Sequence, residues 1–138
     1  MTDPPPRLRT GLRPEGDRQV EVPGRRPWQV TAHPRIAAIA VPEDHERVRI
    51  AVTGDMDLAT AAHVHRAVLN ALRHYRPARI ELDLAEVEFL DAAGIRALLD
   101  CHTDAGHAGC RLVVRRVLPT VHRVLQITGL ARLLGVQP

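Results

Sequence analysis

Residues 47–53, RVRIAVT, set Val48, Ile50 and Val52 on one face and Arg49, Ala51 and Thr53 on the other. This period of two marks a half-buried strand. Residues 79–84, RIELDL, repeat it, with Ile80, Leu82 and Leu84 opposing Glu81 and Asp83. Val87 and Phe89 carry the apolar line on after a shift of phase at Ala85–Glu86. Residues 35–41, RIAAIAV, and 110–117, CRLVVRRV, are expected to be two further strands, and a short strand near Trp28 and Val30 is a fifth candidate. Between these stretches the apolar spacing changes to three and four. Ala61, Val64, Val68, Leu72 and Tyr75 predict a helix over 58–75, stopped by Pro77. A second helix is expected to begin at Asp91, whose carboxylate caps orphan N–H groups, and to end near Gly106 or Gly109. Ile95, Leu98, Leu99 and His102 would form its packed stripe. Pro119 opens a third helix, with Val121, Val124, Leu125 and Thr128 on one side and Gly129 as its stop. The tail LARLLGV reads as a last short helix or strand.

Strands joined by helices of this length imply right-handed crossovers and a sheet that is at least partly parallel. The expected class is α/β, a mixed sheet of four to five strands with helices packed against it. A chain of 138 residues suits a single domain. Residues 1–30 are rich in Pro, Gly and Arg without sustained periodicity, so they are expected to be a disordered arm ahead of a domain over 31–138.

Composition narrows the chemistry. With 45% apolar residues a core can form, and it must be aliphatic because Trp28, Tyr75 and Phe89 are the only aromatics. Base-stacking platforms for single strands need more rings than that. Residues 31–138 hold thirteen Arg against twelve acids, so the domain is nearly neutral and no direct contact with nucleic acid is expected. No apolar run approaches the roughly 18 residues of a bilayer span, and the N-terminus lacks a signal-peptide core. A soluble cytoplasmic protein, free of the membrane and with reduced thiols, is the expectation.

Three stretches in order resemble the STAS family, the domain shared by anti-sigma-factor antagonists and the tails of sulphate transporters. VTGDMDLATA (52–61) is similar to the family's strand, Gly-acid-x-Asp turn and following helix. LDLAEVEFLDAAGIRALL (82–99) matches its strand, Asp and Gly-led helix, and RLVVRRVLPTVHRVLQITGL (111–130) its closing strand and helix. The resemblance covers about residues 34–138 and implies the STAS fold. It also implies a regulatory protein without enzymatic activity that binds an anti-sigma factor, often a kinase of the histidine-kinase-like ATPase type. In such antagonists the phosphoacceptor Ser or Thr lies between the Asp and the Gly that open the second helix. Here those two positions are Ala92 and Ala93, so phosphorylation at that site cannot occur.

The partner-binding surface implied is Gly54, Asp55 and Asp57 in one turn, Asp91, Ala92, Ala93 and Gly94 in the other, and Arg96 and Asp100 on the exposed helix face. Small side chains at 92–94 let another backbone approach, and the two turns together would offer an acidic rim. Two alternatives keep the fold: a subunit of a transport or stress-sensing assembly, or a nucleotide- or lipid-sensing domain using Arg115, Arg116 and Arg123. Homodimerisation is left open, and no cofactor is called for.

Other constellations carry less. His63 and His65 are two apart on a helix and point in different directions, and His102 and His107 straddle a helix end, so no metal site is expected. The chain contains no Ser, which removes serine-nucleophile chemistry. Cys101 and Cys110 read as partly buried thiols, with a redox tie between them conditional on Cα atoms within about 7 Å.

Overall fold

A computed structural model of the chain describes residues 17–20, 28–33 and 35–136. Six strands form one sheet in sequence order: β1 (Asp17–Val20), β2 (Trp28–His33), β3 (Ile36–Pro42), β4 (Arg47–Gly54), β5 (Arg79–Glu86) and β6 (Arg111–Arg115). β1 to β4 run antiparallel to their neighbours, whereas β4, β5 and β6 are parallel. The mixed α/β sheet expected from the pattern is therefore present. β3 to β6 are the four strands expected over 35–41, 47–53, 79–84 and 110–117, and β2 is the strand suggested at Trp28 and Val30. β1 was not expected; it pairs with β2 inside the stretch read as an arm, and the rest of residues 1–27 lies outside the described residues.

Two parallel connections need crossovers, which helices supply. α1 (Ala61–Tyr75) links β4 to β5, and α2 (Ala92–His107) links β5 to β6. α1 packs over β2, β3 and β4, α2 over β6, and the two helices touch each other. Beneath them lie Val48, Ile50, Val52, Ile80, Leu82, Leu84 and Val114, each 2% exposed or less. α3 (Pro119–Ile127) and α4 (Leu130–Leu133) close the chain, with Val121, Leu125, Leu130 and Leu134 buried. The backbone of Leu134 accepts a hydrogen bond from Val114 N–H at 3.0 Å, which covers the free edge of β6.

Two packing details differ from the sequence expectation. The buried stripe of α2 is Gly94, Ala97, Leu98, Cys101 and Ala105, while Ile95, Leu99 and His102 are only partly buried. Small residues face inward because α2 lies close against α1 and the sheet. The shift of phase at Ala85–Glu86 is a bulge: Ala51 pairs with Asp83, but Thr53 pairs with Glu86. After it Val87 is buried and Phe89 turns out to solvent at 50% exposure.

Candidate docking site

The parallel strands β4 and β5 end side by side, and the segments that leave them are stitched into one unit. Met56 N–H donates to the carbonyl of Phe89 at 2.9 Å, and Asp91 N–H donates to the carbonyl of Met56 at 3.2 Å. Met56 and Leu90 thus make an isolated parallel bridge, with Met56 0% and Leu90 6% exposed. In open α/β sheets the carboxyl ends of the strands are where ligands and partners are met.

Each segment is fixed by its own sequence. Gly54 has φ +112°, and a Cβ there would stand 2.2 Å from the carbonyl oxygen of Arg35, so only glycine fits. Asp57 Oδ1 accepts from the N–H groups of Ala59 at 3.0 Å and Thr60 at 3.2 Å, drawing the chain into α1. The Thr60 hydroxyl, fully buried, donates to the Asp55 carbonyl at 2.5 Å and accepts from Asp57 N–H at 2.9 Å. Arg35 grips the Asp57 carboxylate with both terminal nitrogens, at 2.8 and 3.2 Å. That pair, aided by Thr60 and the Ala59 N–H, lowers Asp57 from 3.8 to about 2.

The second segment opens α2. Asp91 is its N-cap, with Oδ1 accepting from Ala93 N–H at 2.9 Å and Gly94 N–H at 3.1 Å. Gly94 is buried against the first segment, where a Cβ would lie 2.6 Å from the Met56 carbonyl and 2.5 Å from Leu90 Cδ1. Ala92 is exposed and Ala93 half-buried. One turn and two turns further on, Arg96 and Asp100 stand in solvent and pair at 3.6 Å.

The structure therefore brings Gly54, Asp55, Asp57, Asp91, Ala92, Ala93 and Gly94 to one end of the sheet, with Arg96 and Asp100 along the adjoining helix. Two members of the acidic set are partly occupied within the fold: Asp57 by Arg35, and Asp91 by the start of α2. Sequence reasoning missed Arg35, whose pairing with Asp57 joins segments 22 residues apart. It also missed that Leu58, at 85% exposure, and Phe89 flank this end as bare apolar side chains. Alternation put Phe89 in line with Val87, but β5 ends at Glu86 and the period of two does not hold beyond it.

The remaining constellations resolve differently. Arg115 and Arg116 stand partly in solvent and are paired with acids of β5. Asp83, 4% exposed, accepts from Arg116 through Nε at 3.2 Å and through Nη2, and from Arg49 Nη1 at 3.4 Å. Glu81 takes Arg79 Nε at 3.1 Å and Arg115 Nη2 at 3.5 Å. Burial alone would push Asp83 up, but the Arg116 hydrogen bond, the Ala85 N–H and the Arg116 and Arg49 charges hold it below the ordinary carboxylate range. Cys101 and Cys110 are free and buried, and desolvation raises both thiols, which favours the protonated form. His65 Nε2 meets Asp104 Oδ2 at 2.6 Å and ties α1 to α2. Among the described residues no group of three or more His, Cys, Asp or Glu is placed to hold a metal ion. Among them, too, no helix is long and apolar enough to cross a membrane.

Comparison with known proteins decides the family. The family model described as "Mlab, STAS domain" matches residues 39–135. The chain belongs to the STAS family. An anti-sigma F factor antagonist of Paenibacillus polymyxa is 27% identical over 95 residues, covering 68% of this chain and 81% of that one. Among solved STAS structures, an anti-sigma factor antagonist from Mycobacterium paratuberculosis superposes with a TM-score of 0.66 at 24% identity, over 75% of this chain and 86% of the other. The anti-sigma factor antagonist SpoIIAA in its unphosphorylated form gives a TM-score of 0.62 at 19% identity, over 73% and 88%. These likenesses establish the STAS fold, and the strands and helices that carry it are those read from the pattern.

Proposed function

We propose that this STAS protein is a cytoplasmic regulatory binding module of the antagonist kind. It captures an anti-sigma factor or a related kinase through the turns Gly54–Asp57 and Asp91–Gly94, with Arg96 and Asp100 beside them. It performs no chemistry of its own. The observation that carries the reading is the start of α2. A cap rigidly presents an exposed small residue, Ala92, next to a second turn to which it is hydrogen-bonded through the backbone. Such a surface is preorganised for another backbone to approach at little ordering cost.

Neither position between Asp91 and Gly94 carries a hydroxyl, and the hydroxyl of the adjoining turn, on Thr60, is buried. The module is accordingly held in a form that a kinase cannot switch off at this site. Adding a phosphoryl group there would bring about −1.5 to −2 charges onto an already acidic surface. Affinity capture from the native cell tests the reading. Asp91→Lys abolishes capture while costing only about 1 kcal/mol of stability, the value of a helix cap; undiminished capture moves the interface elsewhere. A second reading, a subunit of a larger transport or stress-sensing assembly, is favoured by the same alanines. Ala92→Ser separates the two. Phosphate transfer from ATP by the captured partner supports the antagonist, and no transfer supports the assembly subunit.

A further inference from the structure

Leu58 and Phe89 are two of the four large apolar side chains that stand exposed among the described residues, and both lie at the docking end. They leave segments whose backbones are held together by the Met56–Leu90 bridge and the two hydrogen bonds that Met56 makes. Leu58 sits between Asp57 and Thr60, whose contacts hold the turn and leave the leucine no inward path. Apolar groups fixed outward at a preformed surface mark interaction sites.

The charge around them is mainly acidic. Residues 54–60 and 86–95 carry Asp55, Asp57, Glu86, Glu88 and Asp91, while Arg35 and Arg96, the basic side chains beside them, are paired with Asp57 and Asp100, in a chain whose formal net charge is +3. Glu86 and Glu88 are exposed. A second copy of this chain would set these acids against their own kind, and an anionic lipid surface would be repelled.

We infer that Leu58 and Phe89 are the apolar anchors of the docking face, and that the partner surface they fit is apolar at its centre and rimmed by Arg or Lys. This inference rests on the docking reading and names the chemistry of its partner. Glu86 and Glu88 give the rim its sign, steering encounter and rejecting acidic surfaces, while the two anchors hold the complex once formed.

The probes are two synthetic amphipathic helices with the same Leu/Phe face, one with Arg and Lys on its other face and one with Glu. By titration calorimetry the full chain binds the basic peptide, added salt weakens it, and the acidic peptide does not bind. Leu58→Ser, a change at a side chain already in water, weakens the basic peptide about tenfold, and Leu58→Ser/Phe89→Ser weakens it further. Glu86→Lys/Glu88→Lys moves the preference to the acidic peptide. Circular dichroism confirms that each variant is folded. Equal binding by wild type and Leu58→Ser, equal binding of both peptides, or no binding of the basic one overturns the inference. None of these outcomes touches the docking reading, which stands or falls on capture by Asp91→Lys.

Discussion

Asp91 and Asp83 are both carboxylates near the carboxyl end of β5, yet they organise opposite kinds of surface. Asp91 spends one oxygen on two N–H groups of its own helix and presents small residues, acids and bare apolar side chains around it. Asp83 is nearly buried and gathers Arg116 and Arg49, while its neighbour Glu81 gathers Arg79 and Arg115. The depression lined by Arg49, Glu81, Asp83, Arg115 and Arg116, about 400 Å³, is walled by three arginines that are each paired with one of its two carboxylates. A surface whose polar groups are satisfied internally but whose apolar groups are exposed is built to be covered. A surface whose charges are already paired in place has less to gain from being covered.

This contrast can be broken first at the glycines that hold the docking end together. Gly54→Ala forces a Cβ to within 2.2 Å of the Arg35 carbonyl at φ +112°. It is expected to cost about 3 kcal/mol or more in chemical denaturation, since backbone strain and overpacking act together. Gly94→Ala meets Leu90 Cδ1 at 2.5 Å and the Met56 carbonyl at 2.6 Å. It should cost about 1–3 kcal/mol, because Leu90 Cδ1 can give way while the Met56 carbonyl must shift with its turn. It should also weaken partner capture by prising the two segments apart. A Gly94→Ala protein as stable as wild type would mean that the segments do not need this close approach.

A smaller effect is expected on the charged face. Asp83→Ala removes the acceptor shared by Arg116 and Arg49 and unpins the Ala85 N–H of the bulge. Both arginines reach water, so the loss should be about 1–2 kcal/mol instead of the larger penalty of a fully buried pair. Because Asp83 sits in the internally paired region, partner capture should be unchanged once the protein is folded. Loss of capture in a folded Asp83→Ala protein would mean that the two regions are one site.

The two regions were unequally legible in the sequence. Alternation at 47–53 and 79–84 placed the strands because burial on one face imposes a period of two, and the α1 spacing worked for the same reason at a period of 3.6. Asp91 was readable as a cap because capping is local, spanning only two or three residues. The charged face was not readable: Arg49 and Asp83 are 34 residues apart, and only the parallel register of β4 and β5 brings them together. The stripe of α2 was misread because Ile95 and Leu99 look like core residues, while close helix packing selects Gly94, Ala97 and Ala105. Leu58 and Phe89 escaped notice because nothing local distinguishes an apolar residue held outward from one folded in.

The finest test of the comparison is electrostatic and concerns Asp57, an acid of the docking end that is ion-paired like those of the charged face. Arg35 lowers it to about 2, below its ordinary 3.8. A carboxylate depressed by folding stabilises the native state at pH values above its ordinary range, and that contribution fades as pH falls towards about 2. Asp57→Asn keeps an oxygen for the Ala59 and Thr60 N–H groups but abolishes the charge that Arg35 reads. Its denaturation midpoint should lie slightly below wild type at neutral pH, and the two should converge as acid protonates the native carboxylate. The gap should also shrink with salt, because Arg35 is half in water, with 48% of its side chain exposed. Curves that stay parallel from neutral pH down to pH 2 would mean that Asp57 acts only through its backbone contacts. The docking end would then hold its shape by hydrogen bonds alone, with all its acids left to face a partner.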